Sequence, residues 1–219
     1  RIFFIVDKSG SMLQVAQGFG GGDKWSALKN AINGVTSTLT SDAIDYALVE
    51  YPDPRNTDCE SAGSCVVACD VGTQQVAMGG SGGQVNTALN QTTPFGGTPT
   101  AQTLANTKNT IETLSFIDRP LAVVLATDGA PNCATTQGLQ DGQADLRVNC
   151  TLTVGSVCTS TADNQTDTSC APFNCLDLTA VDRVREIAGL GVDVHVIGIR
   201  GSNESSAAFT DTLNSMAVA

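Results

Sequence analysis

Two apolar blocks, each closed by an aspartate, constrain this chain more than any other feature. Ile2 to Val6 (IFFIV) runs into Asp7, and Leu121 to Thr127 (LAVVLAT) runs into Asp128. A short block with no polar alternation reads as a strand buried on both faces, and such strands belong to parallel sheets covered by helices. A carboxylate at the end of each strand then falls at the carboxyl edge of the sheet. Open α/β sheets place their ligands at that edge.

The segments between the blocks agree with this. Trp25, Leu28, Ile32, Val35 and Leu39 recur at spacings of three and four, which predicts a helix with one apolar stripe. Ala43 to Tyr51 predicts a second strand and Val71 to Met78 a short edge strand. A helix is expected from Pro99, a residue tolerated at a helix start, to about Ser115. Further on, the pattern predicts a helix over Leu176–Ala188, a strand over Val192–Ile199 and a last helix over Glu204–Met216. Strands alternating with helices give the fold class: α/β, a Rossmann-like, doubly wound and mostly parallel sheet flanked by helices. In that winding the strands ending in Asp7 and Asp128 are neighbours. The length of 219 residues suits a single domain over 1–219. Two polar, cysteine-bearing insertions interrupt it, Pro52–Asp70 and Asn132–Cys175. The second is longer than a compact fold normally leaves structureless.

Charge and cysteines narrow the setting. The chain carries 22 Asp and Glu against 11 Lys and Arg, an acidic balance that argues against nucleic acid as a partner. No apolar run has membrane-spanning length, and no stretch reads as a signal peptide. The chain begins directly on a core strand, as a processed piece of a longer protein would. Cys59, Cys65 and Cys69 form one cluster; Cys133, Cys150, Cys158, Cys170 and Cys175 form another. Their density favours disulfides and an oxidising compartment. With an odd number in each cluster, complete pairing within the chain requires a bridge between the two. Zinc is the competing reading, on the Cys65-x₃-Cys69 and Cys170-x₄-Cys175 spacings. His195 lies in a strand, where a packed or sheet-face histidine is the expected role, so a zinc site would be built from thiolates alone.

The chemistry gathers at the strand ends. Asp7 is followed at alternate positions by Ser9 and Ser11. Thr98 follows two glycines in FGGTPT, just before a helix, and Asp128 sits in LATDGAPN. Two carboxylates and three hydroxyls are hard oxygen donors, suited to Mg²⁺, Ca²⁺ or Mn²⁺ rather than to zinc or copper. In isolation each residue is ordinary turn chemistry; it is their joint placement at one sheet edge that points to a metal.

Asp7-x-Ser9-x-Ser11, then Thr98, then Asp128 before glycine resembles the metal-ion-dependent adhesion site of von Willebrand factor A domains, the integrin I-like fold. The resemblance runs through nearly the whole chain in order and spacing. The cysteine insertions and the TDGAPNC stretch make it most similar to cysteine-rich, secreted or lipoprotein bacterial members. Surface lipoproteins that serve gliding bacteria as adhesins are one home the resemblance offers. It implies a non-enzymatic, metal-dependent binding domain on a secreted or cell-surface protein. Ser9, Ser11 and Thr98 would hold a divalent cation, Mg²⁺ before Ca²⁺ or Mn²⁺. Asp7 and Asp128 would act through water or hydrogen bonds to the serines. One coordination position would stay open for an Asp or Glu of a protein or surface partner. The family's final strand and helix have no counterpart here, so VDVHVIGI is expected to form an open sheet edge.

Rival readings are a structural or assembly module merely stiffened by the ion, and an accessory domain of an extracellular enzyme. A Ser-His-Asp hydrolase lacks its G-x-S-x-G elbow. The GFGGGDK loop fails the phosphate-loop spacing, because Trp25 follows Lys24. Trp25 and the Phe209, Leu213, Met216 stripe are expected to be packing faces.

Overall fold

The computed structural model describes residues 1–18, 20–39, 44–53, 70–114, 119–128, 131–133, 148–153, 175–201 and 207–219. Seven strands are described: β1 (Ile2–Asp7), β2 (Tyr46–Tyr51), β3 (Thr73–Gly80), β4 (Ala122–Thr127), β5 (Val148–Thr153), β6 (Cys175–Asp177) and β7 (Asp193–Gly198). The described helices are α1 (Lys24–Thr38), α2 (Gly82–Gln91), α3 (Thr100–Glu112), α4 (Thr179–Ala188) and α5 (Ala207–Ala217), with a 3₁₀ turn over Gly10–Leu13.

The main sheet has the order β3-β2-β1-β4-β7. β1 pairs in parallel with β2 and β4, β4 pairs in parallel with β7, and only β3 is antiparallel. Alternation along β1 assigns its side chains to two cores. Phe3 and Ile5 join Val123 and Leu125 under Leu104, Ile111, Val184, Ile187 and Met216, on the face covered by α3, α4 and α5. Phe4 and Val6 join Leu48 and Val76 under Trp25, Leu28, Ile32, Val85 and Leu89, on the face covered by α1 and α2. Burial on both faces is why the strand read as an unbroken apolar block. Trp25 and Met216 are core residues as expected. Leu213 packs against the same core, and the side chain of Phe209 lies outside the described residues.

One expectation is corrected, and one helix was not anticipated. Leu176 does not begin a helix: Cys175–Asp177 is a strand, antiparallel to β5 in a second, two-stranded sheet. The helix starts two residues later, where the Asp177 carboxylate accepts the Thr179 amide at 2.9 Å, a local bond that favours turning over continuing. The segment Asn132–Cys175 carries β5, in keeping with the expectation that an insertion of this length is not left structureless. α2 was not anticipated at all, because its sequence (GGQVNTALNQ) opens on two glycines and has a low apolar content. It forms through a capping box, Ser81 accepting from the Gln84 amide while the Gln84 side chain accepts from the Ser81 amide, and it buries Val85 and Leu89.

The first insertion leaves and returns at one place, Asp53 donating its amide to the Asp70 carbonyl at 3.2 Å. Residues 54–69, with Cys59, Cys65 and Cys69, lie outside the described residues, as do Cys158 and Cys170. Cys133 is disulfide-bonded. Among the described residues β7 is the edge of the main sheet, with His195 exposed and Ile197 48% exposed. His195 is thus a sheet-face residue, away from the aspartates.

Candidate functional site

β1 and β4 run side by side with Val6 opposite Ala126. Asp7 and Asp128 therefore leave the sheet together at its carboxyl edge, both fully buried. The chain turns at once after Asp7, whose Oδ1 accepts the Ser9 amide at 2.8 Å. Its Oδ2 accepts the Thr127 hydroxyl at 2.7 Å, from the neighbouring strand. The Ser9 and Ser11 hydroxyl oxygens lie 3.0 Å apart, and Ser11 donates its proton to Asp128 Oδ1 at 2.9 Å. A hydroxyl has one proton, so Ser9 is the donor in the serine–serine contact. Ser9 keeps both lone pairs unused by this network, and Ser11 keeps one.

Thr98 arrives on a different segment. Its loop is fastened to the serine loop twice: Gly10 donates to the Gly96 carbonyl at 3.0 Å, and Phe95 donates to the Lys8 carbonyl at 2.7 Å. The Thr98 amide donates to Asn132 Oδ1 at 2.6 Å, and the Asn132 amide returns a bond to the Thr98 carbonyl at 3.1 Å. Thr98 is buried, and its hydroxyl makes no hydrogen bond among the described residues. Asn132 thus ties the segment after Asp128 to Thr98. The sequence had singled out neither Asn132 nor Thr127.

Lys24 is the other unforeseen member. Its side chain is buried, and its Nζ donates to Asp128 Oδ2 at 2.8 Å and to Gln14 Oε1 at 3.1 Å. The glycine-rich loop that failed as a phosphate cradle explains how it gets there. Gly18, Gly20 and Gly21 have φ of 82°, 66° and 90°, a region open to glycine. They let the chain double back, with Val15 bridged to Asp23 and Ala16 to Gly201. Asp23 then caps α1 by accepting the Ser26 amide, and Lys24, the first helical residue, is left pointing at Asp128.

Every carboxylate oxygen of the pair has a protein donor. Burial, and after it the charge of Asp128, push the Asp7 carboxyl up to about 7 from its ordinary 3.8, against the opposing pull of the Thr127 and Ser9 bonds. Tyr51, buried beside them, is held well above its usual value by burial first and by Asp7 second. The electrostatics describe a site with more negative charge than its surroundings readily hold. With both carboxyls ionised, two carboxylates against one ammonium leave one net negative charge, which a divalent ion would turn into one net positive charge. The donor set fits such an ion: three hydroxyls on two fastened loops, with the carboxylates behind them. It does not resemble a cage of carboxylates, thiolates and imidazoles, and among the described residues no group of three or more His, Cys, Asp and Glu could hold a metal.

No family model matches the sequence, and no curated protein matches it either. Solved structures do. The vWF domain of the type V pili tip protein Mfa5 from Porphyromonas gingivalis aligns over 99% of this chain and 84% of its own, at 11% identity and a TM-score of 0.56. The pilus adhesin SpaC from Lactobacillus rhamnosus GG, in its open conformation, aligns over 98% of this chain at 15% identity, with a TM-score of 0.56. Proximal thread matrix protein 1 from the mussel byssus, in a structure with a zinc-occupied MIDAS motif, aligns over 99% of this chain at 15% identity and a TM-score of 0.51. This chain spans 38% of the mussel protein and 26% of SpaC. At these identities the likeness speaks for the architecture alone: a mostly parallel sheet flanked by helices. The chain has the fold of the von Willebrand factor A domain.

Proposed function

We propose that residues 1–219 are one non-enzymatic domain that binds a protein or surface partner through a divalent cation, on a secreted or cell-surface protein. Ser9, Ser11 and Thr98 would hold the ion through their hydroxyls, with Mg²⁺ the expected ion and Ca²⁺ or Mn²⁺ the alternatives. Asp7 and Asp128 would support it from behind, through the bonds they already make. The ion supplies a positive centre for an Asp or Glu of the partner. The observation that carries this reading is the commitment of all four carboxylate oxygens to donors within the protein. A first shell of neutral hydroxyls leaves a cation's charge largely unspent, and that favours an anion from outside. A pilus adhesin, a pili tip protein and a byssal thread matrix protein among the structures of like fold support an adhesive or assembly role at a cell surface or outside it. Among the described residues no helix is long and apolar enough to cross a membrane.

The Lys24–Asp128 pair separates this reading from a module that the ion only stiffens. Asp128 already has a counter-ion inside the protein, so its charge is balanced without metal. Chelation should abolish binding to immobilised acidic peptides, and Mg²⁺ should restore it, while the chain stays folded by circular dichroism. Binding that survives EDTA, or unfolding that accompanies its loss, overturns the proposal. The bond is local to the ion, so it should also tolerate salt better than a surface held by exposed ion pairs.

A further inference from the structure

A groove of about 1220 Å³ runs between β3 and α2, lined also by Lys8, Glu50 and Phe95. The two ionisable groups there are buried, Lys8 at 4% exposed and Glu50 at 1%, and neither belongs to the cation site. Glu50 Oε2 accepts the Thr92 hydroxyl at 2.6 Å, but Oε1 is buried with no hydrogen-bond partner among the described residues. The Lys8 ammonium lies 5.6 Å from the centre of the Phe95 ring. Buried polar atoms are nearly always satisfied, and one that is not calls for something outside the chain to complete it.

The chemistry of the lining selects that partner. Glu50 asks for a donor and repels anions; the Lys8 ammonium, attracted by Glu50 and by Asp53, has no hydrogen-bond acceptor of its own among the described residues and repels cations. A ligand meeting both is neutral and carries donor and acceptor close together. Along the walls, Gln84, Thr87 and Gln91 offer further carboxamide and hydroxyl groups, and Phe95 offers an apolar ring. An added polypeptide strand fits less well. β3 pairs with β2 through register shifts and has Gly79 at φ 102°, and an irregular, bulged edge is a poor template for strand addition.

We propose that this groove is a second binding site, separate from the cation site, for a neutral saccharide, with Glu50 accepting from and Lys8 donating to neighbouring hydroxyls of one sugar ring. Sugar hydroxyls act as donor and acceptor at once, and the C–H face of the ring suits Phe95. A few placed polar groups in a preformed cleft are the ordinary make-up of a small-ligand site.

The test is an array of immobilised neutral oligosaccharides, followed by titration of the ¹⁵N-labelled chain with the strongest binder in the presence of EDTA. The expected result is binding without metal and amide shifts at Gln84, Thr87 and Phe95. Glu50→Gln should weaken it about tenfold, the loss of one well-placed charged hydrogen bond. Gln91→Trp, on the exposed side of α2, should block the groove without touching the core. The proposal is overturned if no saccharide binds, if EDTA abolishes binding, if Glu50→Gln and Gln91→Trp both bind like the parent, or if an extended peptide shifts the β3 amides instead.

Discussion

Lys24 shows how a residue's meaning depends on the loop that delivers it. In the sequence it is one of 11 basic residues, next to a glycine run that matches no phosphate motif. In the structure it neutralises Asp128 from inside. Removing one partner of a buried pair usually costs about 3–5 kcal/mol, because the other charge is left unpaired. Lys24→Met should therefore lose stability of that order in denaturant titrations of the metal-free chain. It should also bind Mg²⁺ more tightly by calorimetry, since the ion no longer shares Asp128 with an ammonium. Weaker Mg²⁺ binding by a folded Lys24→Met chain would refute that charge argument. Glu50 gives a second test at this scale. Burial raises its carboxyl above the ordinary 4.5, so the folded chain holds that proton more tightly than the unfolded chain does. Stability from this group is present below about pH 4.5 and is lost as pH rises through the folded value. Glu50→Gln should accordingly melt higher than the parent at neutral pH, and the gap should close in acid. A gap independent of pH would show that Glu50 is already satisfied. As a candidate site, the five residues Asp7, Ser9, Ser11, Thr98 and Asp128 were legible because a strand end, a short spacing and a donor type can all be read locally. Lys24, Thr127 and Asn132 were not, because their roles arise from contacts 104, 120 and 34 residues away in sequence.

Elements were legible where burial was complete and illegible where it was shared. β1, β4 and α1 have apolar patterns strong enough to stand alone. α2 is held by a capping box and by two buried side chains, a signal that glycine and asparagine content masks. β6 has only three residues, and its apolar Leu176 continues the helix pattern that follows it. α2 also shows how closely the helices pack. A Cβ on Gly82 would stand 2.7 Å from the Thr36 Cβ and 3.1 Å from the Thr36 carbonyl oxygen on α1. Backbone is involved on both sides, so neither helix can give way by a rotamer change. Gly82→Ala should then destabilise by about 1–3 kcal/mol, as overpacking does, although alanine is the better helix former. Thermal denaturation that shows a gain would place the α1–α2 contact elsewhere.

At the scale of the molecule, one sheet edge gathers what the chain keeps apart: the end of β1, the loop before α3, the end of β4 and the start of α1. The strand order makes this unavoidable, since β1 and β4 are neighbours in the middle of the sheet. The acidic balance and the eight cysteines belong to this scale too. Cys133, next to the site-tying Asn132, is disulfide-bonded. Non-reducing mass analysis of the native chain should find no free thiol, with at least one bridge joining the Cys59–Cys69 cluster to the Cys133–Cys175 cluster. Free thiols or bound zinc would return the zinc reading to favour. The central claim is that a cation sits on hydroxyls in front of two committed carboxylates. Crystals grown with Mn²⁺ and measured at its absorption edge test this most directly. The expected result is one anomalous peak bounded by the Ser9, Ser11 and Thr98 hydroxyls, with the Lys24–Asp128 pair intact behind it. No peak there, or a peak on the carboxylates with Lys24 displaced, would contradict the account.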